Sequence, residues 1–433
     1  MDKRQFLEAL TQRLLDRERR GLKRRLLEYS EGLVLDSAND FASNDYLSFA
    51  RSDVLAQRIQ VLTLQAQQRV EVKNGSSGSR LLTGDSALAQ TVEEELATYH
   101  EVESCLLFNS GYDCNVGLFS CIATAERDAL LVDESVHASV FDGCRLSRAR
   151  TVQRFRHNDF TDLESQLIKL RAEMGDTGWI LVGVESCYSM DGDLLTQPAA
   201  VLDRCRAHRA LLIVDEAHSV GIHGARGCGL MHPHKNHPAL LARIVTFGKA
   251  LGQHGAAVLC PATLREYLVN YARPLIYSTS LPVHSLCAIR ASYQMLASSF
   301  AEYRRQQLKE RLAVFQAHVQ RLVRRFSQMP KPLLNAESPI QAIVIPGNEA
   351  CTQVATRMRQ RGFDVYPIRY PTVERGSERL RIVIHAHNTN AAIEALIHAL
   401  ADEFERLQAR RELIDKSLSV HDPLPSVQVR ARL

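Results

Sequence analysis

The sequence predicts an α/β fold: a large, mostly parallel sheet with helices on both faces, joined to a small C-terminal α+β domain. Three observations predict it. Six short apolar runs, SCLLFNS, DALLVDE, GWILVGVES, ALLIVDEAH, RIVTFGKAL and GAAVLC, lie between Ser104 and Cys260. Apolar strands separated by crossover-length segments belong to parallel sheets buried on both sides. A second alternation follows, with IQAIVIPG, FDVYPIR and RLRIVIHA around a helix over Ala350–Arg361, the pattern of an α+β unit. Finally, 433 residues, 45% hydrophobic and 24% charged, suffice for one large core and a second domain.

The remaining elements follow in chain order. Phe6, Leu7, Leu10, Leu14 and Leu15 recur at helical spacing among Arg and Glu. This predicts an amphipathic helix from Asp2 to Tyr29, packed on the body or on a partner subunit. The basic run Lys23-Arg24-Arg25 reads as a solvated helix face, with phosphate or another acidic group of a ligand as the alternative partner. A long helical stretch is predicted near Pro282 to Met329, and a closing helix from Asn390 to about Glu412. From Ser417 to Val429, with Pro423 and Pro425, helical periodicity is lost. That leaves a flexible tail ending in Ala431-Arg432-Leu433, a conservative variant of the Ser-Lys-Leu address read by a peroxisomal import receptor. The expected location is the peroxisome, with the cytoplasm as the alternative.

Composition excludes other classes. A formal charge of +4 from 53 basic against 49 acidic residues is a small difference between interspersed charges, so no nucleic-acid partner is implied. Ten cysteines without a CxxC pair read as reduced thiols. The N-terminus lacks an apolar signal region, and no apolar run approaches the roughly 20 residues a membrane span needs. His232, His234 and His237 share a Pro-containing loop with no Cys or carboxylate at ligand spacing, so no metal site is predicted.

Ligands of open parallel sheets sit at the carboxyl ends of the strands. There the sequence places Asn109-Ser110-Gly111-Tyr112, Glu134-Ser135-Val136-His137, Glu185-Ser186-Cys187-Tyr188-Ser189, Asp215-Glu216-Ala217-His218, and Lys249. An acid, two imidazoles, an amine and small hydroxyl residues converging on one crevice describe a cofactor site with an amine nucleophile. Asp215 to His218 also spell the DEAH word of nucleotide hydrolases. No GxxxxGK[ST] cradle accompanies them, and Ala250 follows Lys249.

The segments NDYL (44–47), GSSGSRLLTGD (75–85), LFNSGYDCN (107–115), DESVHASVFDG (133–143), SMDGD (189–193), VDEAHSVGIHG (214–224), TFGKALG (246–252), YSTSLP (277–282) and RLRIVIHAH (379–387) resemble the α-oxoamine synthases. These are pyridoxal 5'-phosphate (PLP) enzymes of the aminotransferase-like fold type I. The likeness runs from about Asn39 to Asn388 and is greatest to the branch that condenses L-alanine with pimeloyl-CoA in biotin biosynthesis.

The resemblance implies a role for each matching residue. Lys249 would hold the cofactor as a Schiff base and then act as the base at Cα. Asp215 would face the ring nitrogen, His218 the phenolic oxygen, and His137 would stack on the ring. Gly111, Tyr112 and Thr246 would hold the phosphate, while Ser278 and Thr279 would reach the phosphate of the neighbouring subunit in a homodimer. Ser189 would lie near the cofactor oxygen and His218. Arg381, assisted by Asn44, would clamp the amino-acid carboxylate, and Thr372 would line the acyl-CoA side.

The resemblance divides the chain into an N-terminal helix and arm (1–50), a large PLP-binding domain (51–290), a small domain (291–412) and a tail (413–433). Tyr370, Glu374 and Gln253-His254 depart from the usual bacterial pattern and bear on the acyl pocket. The alternatives are another family member using glycine or serine with a different acyl-CoA, secondary metabolism included, or a non-catalytic subunit.

Overall fold

A computed structural model describes residues 2–24, 26, 37–69, 71–124, 127–326 and 332–419. The tail from 420, with Ala431-Arg432-Leu433, lies outside the described residues, as do Arg25 and residues 27–36.

Seven strands form the large sheet: β1 (Ser104–Phe108), β2 (Ala129–Asp133), β3 (Thr151–Phe155), β4 (Ile180–Glu185), β5 (Ala210–Asp215), β6 (Leu240–Thr246) and β7 (Ala256–Cys260). Their order is β1-β7-β6-β5-β4-β2-β3. The pairs β3–β2–β4–β5–β6 are parallel, and β7 runs antiparallel to both β6 and β1. The six apolar runs are six of these strands. The seventh, β3, has no apolar run: it is an edge strand, TVQRF, with Val152 exposed, and edge strands bury too little to announce themselves.

A second sheet orders β8 (Ile340–Val344), β10 (Arg379–Val383) and β9 (Tyr366–Ile368), all antiparallel. The helix before β9 spans Asn348–Gln360, and the closing helix spans Asn390–Ser419. Apolar side chains of this sheet, among them Ile340, Leu380 and Ile382, share one core with Leu107, Val245 and Ala257 of the large sheet. The two sheets therefore meet through continuous apolar packing.

Two helical expectations are corrected. The N-terminal helix spans Lys3–Arg19, short of Tyr29, and none of its residues is buried against this chain. Asp2 caps it, and Gly21 follows in the left-handed region (φ +64°), where the missing Cβ removes the steric penalty that continuing residues would meet. The stretch after Pro282 is two helices, Val283–Leu296 and Ser299–Arg325. They break where the hydroxyl of Ser298 donates back to the Met295 carbonyl at 2.6 Å. Among the described residues, no helix is long and apolar enough to cross a membrane.

Candidate active site

The carboxyl ends of β2, β4, β5 and β6 open into one crevice of about 250 Å³, facing solvent on one side. His137, Glu185, Asp215, His218, Thr246 and Lys249 line it. Parallel strands bring them together: each ends at the same edge, so the first polar residue past each apolar run emerges there. Glu185 and Asp215 are register partners on adjacent strands, placing two carboxyls side by side.

Asp215 is held on both oxygens. Asn115 Nδ2 donates to Oδ2 at 2.7 Å, and the Ala217 amide donates to Oδ1 at 2.9 Å. Glu185 Oε1 accepts the His137 backbone N–H at 2.5 Å, which anchors the turn that presents the imidazole. Burial, reinforced by the neighbouring Asp215, pushes the Glu185 carboxyl well above its usual range. His137 caps the helix Ala138–Leu146, its Nδ1 lying 2.7 Å from Ser139 Oγ, and burial lowers its pKa.

Lys249 Nζ lies 2.8 Å from His218 Nε2. Burial lowers the lysine pKa against the pull of Asp215 and Glu185, so this amine loses its proton more readily than a surface lysine. Burial, then the adjacent Lys249, holds His218 well below the usual histidine range, leaving it uncharged. Its Nδ1 is 2.6 Å from the Tyr46 hydroxyl.

At the phosphate end expected from the sequence, the helix Gly111–Cys121 starts beside Thr246. A Cβ on Gly111 would come within 2.6 Å of Thr246 Cγ2, so only glycine lets the helix start this close to β6. Ser110 caps the third amide, that of Asp113, at 3.0 Å. The Gly111 and Tyr112 amides belong to the first turn, whose N–H groups have no acceptor within a helix. Thr246 Oγ1 is buried without a hydrogen-bond partner in the protein, as is Asn115 Oδ1.

Arg381, on β10, donates from Nε to the Ser189 carbonyl at 2.8 Å and from Nη2 to Asn44 Oδ1 at 3.1 Å. Asn44 lines the crevice. Ser189 enters this network through its carbonyl. Ser278 and Thr279 do not line the crevice of their own chain. Ser278 borders a separate small pocket, and the Thr279 carbonyl accepts from Asn109 at 2.7 Å. Thr372 sits on an exposed loop and does not line the crevice.

Sequence reasoning assigned no role to Tyr46, Asn115 or Glu185. Asn115 stands four residues after Gly111, on the same helix face, and that spacing is the signal that could have found it.

Residues 38–400 match the family of aminotransferases of class I and II. The chain belongs to this family, and within it to the α-oxoamine synthases. It is 35% identical over 414 residues to an 8-amino-7-oxononanoate synthase of Emericella nidulans, covering 93% of this chain and 97% of that one. Against the enzyme of the same name from Methylobacillus flagellatus it is 34% identical over 401 residues, covering 91% and 96%. Among solved structures, a serine palmitoyltransferase of S. paucimobilis with a bound PLP-myriocin aldimine superposes with a TM-score of 0.80 at 22% identity, covering 94% of this chain and 100% of that one. An 8-amino-7-oxononanoate synthase of Francisella tularensis gives 0.68 at 24% identity, covering 86% and 99%.

The residues present fit PLP. The cofactor needs an amine for its aldehyde, an acid for its ring nitrogen, and donors for its phosphate. Lys249, the doubly held Asp215, and the helix start beside the unpartnered Thr246 hydroxyl offer these around one crevice.

Proposed function

We propose that the chain is a PLP-dependent acyltransferase of biotin biosynthesis that condenses L-alanine with pimeloyl-CoA, releasing CoA and carbon dioxide and forming 8-amino-7-oxononanoate. The observation that carries the reading is the shared crevice of Lys249, His218 and Asp215 with Asn44 and Arg381 at its border. Near-full-length likeness to enzymes bearing that name supports the choice of substrates.

Bound at Lys249, PLP supplies the electron sink that makes the Cα proton of the amino acid removable. The protein's residues do the rest. Asp215, oriented by Asn115 and the Ala217 amide, would keep the ring nitrogen protonated. Arg381 offers its guanidinium to the amino-acid carboxylate while Asn44 steadies it. Lys249, whose burial favours the neutral amine, would take the Cα proton and later return one. His218 would offer a hydrogen to the phenolic oxygen, and His137 would lie against the ring. Gly111, Tyr112 and Thr246 would hold the phosphate.

The reading includes a homodimer in which Ser278 and Thr279 serve the neighbouring subunit's phosphate. It also divides the chain at residues 50, 290 and 412, and sends the protein to peroxisomes through Ala431-Arg432-Leu433. Replacing Lys249 by Ala should abolish the visible band of the bound cofactor and lower turnover at least about a thousandfold; a band that survives unchanged overturns the assignment. Offered alanine, glycine or serine with several acyl-CoAs, the enzyme should release thiol fastest with alanine and pimeloyl-CoA. Faster release with glycine or serine moves it to another branch of the family. A reporter carrying the last ten residues should form puncta, and a diffuse signal removes the peroxisomal assignment.

A further inference from the structure

Five side chains form one unbroken polar chain from the border of the crevice to its amine. Arg381 Nη2 reaches Asn44 Oδ1 at 3.1 Å, and the Tyr46 hydroxyl lies 3.2 Å from that same oxygen. Tyr46 is also 2.6 Å from His218 Nδ1, and His218 Nε2 is 2.8 Å from Lys249 Nζ. Tyr46 is completely buried, so it stays protonated and has one hydrogen to give. His218 is uncharged in this setting, so its ring also carries one hydrogen.

Two arrangements satisfy that count. In the first, Tyr46 donates to Nδ1, the ring hydrogen resides on Nε2, and His218 donates to whatever lone pair faces it, the neutral Lys249 amine included. In the second, Tyr46 donates to Asn44, Nδ1 carries the ring hydrogen, and Nε2 accepts from Lys249. The 2.6 Å contact to His218, against 3.2 Å to an Asn44 oxygen already serving Arg381, favours the first.

We propose that Tyr46 is a positioning residue whose hydroxyl fixes the Nε2–H form of His218, so that the imidazole presents a donor to Lys249 and to the cofactor oxygen. The inference rests on the PLP reading above. The partner of one ring nitrogen decides what the other can do, and a tyrosine hydroxyl with a single hydrogen decides it firmly. A donor facing Lys249 favours the neutral amine, the form that attacks an aldehyde. Besides His218, the titratable or charged groups facing Lys249 are Asp215, Glu185, Cys187, Arg381 and His137. A Tyr46→Phe change keeps all of them in place, and of these Arg381 also shares a hydrogen bond with the hydroxyl that is removed.

The test strips the cofactor from the full-length chain, adds PLP, and follows growth of the visible band against pH in parent and Tyr46→Phe. Phenylalanine keeps the buried ring and removes only the hydroxyl. The half-maximal loading rate should move up by about half to one pH unit, making loading about three- to tenfold slower below the midpoint, with equal final amplitude. Coincident profiles overturn the proposal and leave the cofactor reading standing; failure of the parent to form any Lys249-dependent band overturns both. Nitrogen-15 spectra of histidine-labelled parent protein, with His218 assigned by a His218→Gln variant, provide a check independent of the variant's folding. A protonated Nε2 is expected, and a protonated Nδ1 overturns the proposal.

Discussion

Asp215 and Glu216 are neighbours in sequence and nearly equally buried, yet they belong to different environments. Asp215 opens onto the crevice, oriented by Asn115 and the Ala217 amide, with an unpartnered amide oxygen close by. Glu216 points to the opposite side and closes on Arg243 at 2.6 Å and on the Met231 amide at 2.8 Å. Gly229 presses against it: a Cβ there would fall 2.6 Å from the carboxylate, and its φ of +102° excludes other residues without strain. The first acid sits where polar groups await a partner, the second where its charge is paired within the chain. Burial alone therefore does not mark a site; incomplete satisfaction at a strand end does.

The contrast can be broken by substitution. Asp215→Asn should lower turnover about a hundredfold or more. Its melting temperature should stay within about two degrees of the parent, and a comparable loss of melting temperature and activity would make Asp215 a structural residue. Arg243→Met should behave in the opposite way. Stranding the Glu216 carboxylate costs about 3–5 kcal/mol in a denaturant melt, while the fraction that remains folded keeps its cofactor band. Thr246→Val should be mildest, raising the PLP dissociation constant about tenfold. Because the hydroxyl it removes has no partner in the protein, the cofactor-free chain should melt no lower than the parent, and a lower melt would show that Thr246 serves the fold.

Much of this was legible before the coordinates. The polar residues past each apolar run mark where the crevice lies, because a parallel sheet delivers every strand end to one edge. Arg381 was singled out through resemblance, but its contact with Asn44 joins positions 337 residues apart and has no local signal. Tyr46 went unassigned for the same reason, its partner His218 lying 172 residues away. The reversal of β7 was equally hidden: an apolar run such as AAVLC is compatible with either direction, and only pairing with β1 and β6 sets it. The N-terminal helix leaves its apolar stripe unburied by this chain. The stripe predicted a face packed on the body or on a partner subunit, and the body does not cover it; periodicity reports a preference for burial and not the surface that meets it.

By itself, the sequence determined six of the seven strands of the large sheet, the edge at which the crevice lies and the amine, acids and imidazoles gathered there, because these follow from local pattern and from residue chemistry. Tertiary structure alone decided which of two adjacent acids faces the crevice, what orients each group, and which hydrogen Tyr46 can give. Those depend on distances between residues far apart in the chain, and such distances come into being only when the two sheets pack.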